Sequence, residues 1–204
     1  MFNRNYSSYL LEDAVNQFAS LPGIGRKTAL RLALHILDLP LENVGQFASS
    51  MKDLREKAHF CPVCNMISDD ALCPICSDGK RDRSVVCVVE SLRDVLSIEN
   101  TGQYHGMYHI LGGIISPIDG IGPDDIHIRE LVRRLEGNEI REVVLALSTS
   151  MEGETTSFYI YRQISGFPIT VTTIARGVGF GDDLEYTDEL TLGRSIANRQ
   201  VFKP

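Results

Sequence analysis

Uninterrupted apolar stretches in this 204-residue sequence are short, the run Val-Val-Cys-Val-Val at 85–89 being typical. A membrane-spanning helix needs about 20 such residues, so none is expected. The opening residues, 1–9, are polar and aromatic and carry no apolar core of a secretory signal, which predicts a cytoplasmic protein with no membrane partner. No internal repeat and no low-complexity tract is present. Positive charge is scarce: 20 Lys and Arg stand against 27 Asp and Glu, for a net charge of -7. A surface coated with positive charge for nucleic acid is therefore excluded. What remains is ordinary globular material, 43% hydrophobic and 23% charged, which rules out a disordered chain, a coiled coil and a collagen-like rod. The length suits one large domain or two to three small ones.

The charge is unevenly spread. Residues 1–60 hold seven basic and six acidic side chains, whereas residues 77–204 hold thirteen and nineteen. Any nucleic-acid contact must therefore be local, and the N-terminal part is the better candidate. The first sixty residues read as helices. Leu10, Leu11, Ala14, Val15 and Phe18 have helical spacing over 10–20, ending before Pro22. Leu30, Ala33, Leu34 and Leu37 form a stripe over 26–38. A third helix over 41–58 is expected to bury Leu41, Val44, Ala48, Met51 and Leu54 or Ala58.

Between the first two helices lies Leu21-Pro22-Gly23-Ile24-Gly25-Arg26-Lys27-Thr28-Ala29. Gly23 and Gly25 let the backbone approach a ligand closely. The following helix start offers free N–H groups and the positive end of its dipole, beside Arg26, Lys27 and Arg31. Such an anion site suits a nucleic-acid phosphate. Ile24 is expected to plug the core between the helices. A corner used only for packing is the simpler alternative. A nucleotide P-loop fails, because Arg26 separates Gly25 from Lys27 and no strand precedes the turn.

Four of the five cysteines fall within residues 61–76, as Cys61-Pro-Val-Cys64 and Cys73-Pro-Ile-Cys76. Each C-x-x-C turn aims two thiolates at one point, and two such turns complete a tetrahedral sulfur shell suited to structural Zn²⁺. A redox dithiol, a pair of disulfides or an iron–sulfur cluster are the rival uses. Cys87 lies in an apolar strand and reads as a buried thiol.

Lys80-Arg81-Asp82-Arg83 reads as a charged connector. Strands then follow at 84–90, 107–111, 142–147 and 169–174. Helices are expected around Leu92, Val95 and Leu96, from Pro123 and Asp124 through Leu135, and over 156–163. That alternation implies a mainly parallel sheet covered by helices. Its first strand is apolar on both faces, as a central parallel strand should be. Glu90 closes that strand at the end where sites form in open sheets. The polar tail, 182–200, should hold a last helix.

Three segments carry resemblances. The Pro22-Gly23-Ile24-Gly25 turn resembles a helix-hairpin-helix motif, which implies sequence-independent binding to the DNA backbone. Glu90, then Tyr104-His105-Gly106-Met107-Tyr108-His109-Ile110-Leu111-Gly112-Gly113, then a strand with the acidic loop Ser148-Thr149-Ser150-Met151-Glu152-Gly153-Glu154, resemble a Toprim domain. Toprim enzymes place an Asp-x-Asp pair on a later strand to hold Mg²⁺ with their glutamate. Here that strand ends in Ser148-Thr149-Ser150, and Asp124-Asp125 are adjacent and open a helix instead. That departure argues against a two-metal cutting site, and Glu90, Glu152 and Glu154 are candidates for weak Mg²⁺ binding.

Helix-hairpin-helix, four-cysteine knuckle and Toprim domain, in this order and over this length, resemble the RecR family of bacterial recombination proteins, as does the tail from Gly181 to Arg194. A local departure is Ser148-Thr149-Ser150-Met151, where the family usually reads Asn-Pro-Thr-Val. The resemblance implies an α+β multidomain chain. It would comprise a DNA-binding helical domain (1–58), a four-cysteine zinc finger (59–79), a Toprim domain (80–176) and a Walker B-like segment with an oligomerisation tail (177–204). It further implies a non-catalytic, nucleoid-associated mediator that forms a ring-like homotetramer around DNA. Its DNA would be double-stranded or carry gaps and single-strand junctions, and it would act with RecO or RecF to load RecA. Arg26, Lys27 and Arg31 would face DNA, and Glu90, Tyr104, His105, Glu152 and Glu154 would face partners. The alternative is a Mg²⁺-dependent phosphoryl-transfer enzyme acting on DNA.

Overall fold

The computed structural model describes residues 6, 8–137, 139–179 and 181–199. The extreme ends of the expected first and last segments lie outside the described residues. The chain divides into two compact units, residues 1–58 and 59–204.

The first unit is helical. Helix α1 (Tyr9–Ala19) is capped by Ser8, whose hydroxyl accepts from the Leu11 amide. Helix α2 (Arg26–Asp38) starts from Gly25, and α3 (Leu41–Lys57) follows Pro40. Val15, Ala29 and Ala33 form a small buried cluster, with Leu11, Phe18, Ile24 and Leu30 packed on it. Ile24 thus plugs the helix pair, as its place in the turn predicts. The third helix departs from expectation: α3 buries none of its residues, and Leu41, Met51 and Leu54 are exposed. Among the described residues α3 buries no side chain, while Val15, Ala29 and Ala33 form the core between α1 and α2.

The second unit opens with an antiparallel pair, β1 (His59–Phe60) and β2 (Ile67–Ser68), and the short helix α4 (Pro74–Ser77). Then come β3 (Asp82–Val89), α5 (Leu92–Glu99), β4 (Gly106–Ile110), α6 (Ile128–Leu135), β5 (Glu142–Leu145), α7 (Met151–Ile164), β6 (Thr170–Thr173) and α8 (Glu189–Ala197). The sheet order is β4-β3-β5-β6, and every pairing is parallel. Val86, Cys87, Val88 and Val89 are all buried, so β3 is the central apolar strand that its sequence predicts. Among the described residues no helix is long and apolar enough to cross a membrane.

Three expectations need correction. The charged connector 80–83 is partly structured: Asp82 and Arg83 open β3, and the Arg81 guanidinium is ion-paired with Glu99 and donates to the Gly106 carbonyl. Helix α6 does not begin at Pro123. Asp125 accepts from the Gly122 amide at 2.7 Å in a turn, and Asp124 pairs with Arg129. The segment 148–154 is not an acidic loop. Ser150 caps α7 by accepting from the Gly153 amide at 3.1 Å, so Glu152 and Glu154 lie in the first turn, where the helix dipole favours them. The glycine disguises this start, being a poor helix former. It is needed because a Cβ there would lie 2.2 Å from the Ser148 carbonyl oxygen.

Candidate zinc centre and nucleic-acid interface

The two cysteine turns converge. The sulfurs of Cys61, Cys64, Cys73 and Cys76 all lie within 4.8 Å of one another, and all four residues are buried. None is in a disulfide. Tetrahedral zinc with bonds of about 2.3 Å sets sulfurs about 3.8 Å apart, so this cluster fits the ion without rearranging the fold. Local hydrogen bonds hold the turns: the Cys61 amide donates to the Met66 carbonyl at 2.7 Å, and the Cys76 amide to the Cys73 sulfur at 3.4 Å. Burial pushes the Cys61 thiol up, but hydrogen bonds from the backbone of Cys73, Val63 and Cys64 outweigh it and bring it to about 7. Burial drives Cys73 up to about 11, and a side-chain hydrogen bond between Cys64 and Cys76, with burial, drives Cys64 up. Cys64 and Cys73, which resist ionising alone, are stabilised as thiolates by a shared cation. Four protein ligands leave no open position, so the ion is structural.

The cysteine module grips the sheet. Asn65 adopts φ +62°, a left-handed conformation that Asn tolerates. Its side-chain amide donates to the Ile110 carbonyl at 3.3 Å, while the Ile110 amide donates to the Cys64 carbonyl at 2.9 Å. Strand β4 is at the edge of the sheet, and these bonds cover its end.

In the hairpin, Gly23 has φ +80°, which disfavours any side chain. Gly25 gives α2 no side-chain cap, so the first amides of that helix are left for another acceptor. A Cβ on either glycine would meet nothing within 4 Å, so the space before the helix is open. Arg26, Lys27 and Arg31 are exposed around it, and Arg26 donates to Asn16 of α1 at 3.2 Å. Gly23, Gly25, Arg26 and Lys27 lie at this opening, and Arg31 follows one turn after Lys27 along α2.

The five residues expected on one partner surface are not together. Glu90 lies at the carboxyl end of the sheet, where its Oε1 accepts from the Ser148 amide at 2.6 Å. Glu152 and Glu154 share that end. Glu154 is ion-paired with Arg176, with Arg194 of α8 4.0 Å away. Tyr104 and His105 precede β4, at the opposite end of the parallel sheet. Tyr104 donates to the Met107 carbonyl at 2.8 Å and packs edge-on to Tyr108. Nothing in the sequence marks the Glu154–Arg176 pair, because its members lie 22 residues apart on separate elements.

Four family profiles match consecutive stretches: the RecR helix-hairpin-helix over 11–55, the RecR four-cysteine zinc finger domain over 58–78, the Toprim domain over 84–175 and the RecR C-terminal region over 177–200. A curated protein named Recombination protein RecR from Porphyromonas gingivalis strain W83 is 57% identical over 199 residues, covering 98% of this chain and 96% of that one. The chain belongs to the RecR family. Similar proteins of the same name occur in Parabacteroides distasonis, at 56% identity over 98% of this chain and 96% of the relative, and in Flavobacterium johnsoniae, at 51% over 97% and 96%. RecR membership identifies a recombination mediator and makes the cysteine cluster a structural zinc site.

Proposed function

We propose that this RecR-family chain is a non-enzymatic DNA clamp. It binds the DNA backbone through Gly23, Gly25, Arg26, Lys27 and Arg31, and assembles as a homotetrameric ring at gaps and single-strand junctions. There it works with RecO or RecF to promote RecA loading. The observation that carries this reading is the uncapped start of α2, open to solvent between two glycines and three exposed cations. Amides and cations there satisfy a phosphate without reading a base. A single hairpin makes few phosphate contacts, and these weaken steeply with salt. Several hairpins held around one duplex raise the effective concentration of each, which an acidic chain of net charge -7 requires. The uncovered apolar stripe of α3 supports self-association.

Catalysis is not part of this reading. Glu90 is engaged by the Ser148 amide and Glu154 by Arg176, and the strand they flank ends without an Asp-x-Asp pair. Glu90, Glu152, Tyr104 and His105 are left as contacts for protein partners at two ends of the sheet.

The test is DNA binding against salt concentration, with solution mass measured in parallel, for the wild type and Arg26→Ala/Lys27→Ala. A steep salt dependence in an oligomer, flattened in the double variant with assembly unchanged, supports the clamp. Undiminished binding by the variant overturns it. Metal-dependent cleavage of gapped DNA that Glu90→Gln abolishes would establish the enzymatic alternative instead.

A further inference from the structure

A Zn²⁺ ion with four thiolates carries a net charge of about -2, and all four cysteines here are buried. Placing that charge away from water is costly unless an opposite charge lies close by. The sheet unit supplies one. Arg134, in the last turn of α6, is half-buried at a cavity of about 490 Å³ whose wall includes Cys76, Ser77, Arg83 and Met107. Its Nη1 donates to the Tyr108 carbonyl at 2.6 Å, which holds the guanidinium head in place. Arg83 adds a second contact, its Nη2 donating to the carbonyl of Cys76 itself at 3.3 Å. Glu139 also lines the cavity but is exposed to water. Neighbouring Arg133 carries the same charge on the same helix and is exposed.

We propose that Arg134 is the countercharge of the zinc tetrathiolate, a positioning residue through which the sheet unit sets the affinity of the knuckle for its metal. Arginine suits the task because its delocalised guanidinium stays protonated when partly buried. Residues that support metal ligands in this way change affinity by roughly 10- to 100-fold when removed. This inference rests on the zinc reading of the four cysteines.

The experiment is competition for zinc between a chelator and the full-length chain, as wild type, Arg134→Gln, Arg134→Lys and Arg133→Gln. Cobalt-substituted samples give a second readout, the sulfur-to-cobalt charge-transfer band of an intact tetrathiolate. Arg134→Gln is expected to hold zinc roughly 10- to 100-fold more weakly. Arg134→Lys should recover most of the loss, Arg133→Gln should match the wild type, and the cobalt band should keep its four-sulfur form throughout. Equal affinity in Arg134→Gln overturns the proposal. So does an equal loss in Arg134→Lys, which would trace the effect to the shape of the guanidinium and not its charge, or an equal loss in Arg133→Gln, which would trace it to net charge. If Arg134→Gln does not fold, the Lys variant still decides by retaining or losing the metal. A wild type that holds no zinc and shows no cobalt band overturns the zinc reading itself.

Discussion

The amide of Ile110, at the end of edge strand β4, donates to the carbonyl of zinc-knuckle residue Cys64 at 2.9 Å. The knuckle therefore closes the rim of the sheet as well as holding its metal. Removing zinc should free this bond. Hydrogen exchange at the Ile110 amide is expected to accelerate on chelation, whereas the Ala146 amide, just past β5 and bonded to the Val88 carbonyl of β3, should be little changed. Equal acceleration at both would mean that the sheet melts as a whole.

Gly25 leaves the first amides of α2 unclaimed. Gly25→Asp would cap them itself and repel phosphate. Stability should rise by a few tenths of a kcal/mol, while DNA affinity falls about as far as in Arg26→Ala/Lys27→Ala. Thermal melting and DNA titration of one sample check both halves. A variant that is more stable and still binds DNA would remove the helix start from the interface.

Gly153 lets α7 begin against the loop that Glu90 braces. In Gly153→Ala the new methyl would lie 2.2 Å from the Ser148 carbonyl oxygen. Urea unfolding should show a loss of about 1–3 kcal/mol or more, unlike the opposite outcome usual for Gly→Ala within a helix. A stabilised variant would show that the loop yields freely.

His109 is fully buried in β4. Its Nε2 meets the His127 carbonyl at 2.7 Å and its Nδ1 has no partner. Burial lowers its pKa from 6.5 to about 4. The folded state thus binds the proton more weakly than the unfolded state. Stability is complete above pH 6.5 and declines as pH falls toward 4. Between pH 7 and pH 5 the contribution lost is about 2 kcal/mol. Urea midpoints of the zinc-loaded chain at the two pH values, for wild type and His109→Gln, measure it. The variant should lose distinctly less.

Local spacing made several features legible. Paired C-x-x-C turns, glycines between two amphipathic helices and a doubly apolar strand are each defined within a few residues, so their chemistry could be read directly. The stripe on α3 was equally legible, but what covers it was not. An apolar periodicity says that a face should be buried and does not say by which molecule. The Gly153 helix start was obscured because its glycine answers a distant carbonyl rather than local propensity.

The amino-acid order alone was enough to specify the four-cysteine cluster, the glycine hairpin and the strand-helix alternation, because those depend on neighbours along the chain. Only the folded chain decided that Glu154 belongs to Arg176, that Arg134 stands beside the cysteine knuckle, and that Glu90 and Tyr104 occupy opposite ends of one sheet. The cause is the parallel order β4-β3-β5-β6, which brings together residues from distant elements at each rim of the sheet. Side-chain periodicity within a strand or helix carries no record of which strand will lie beside it.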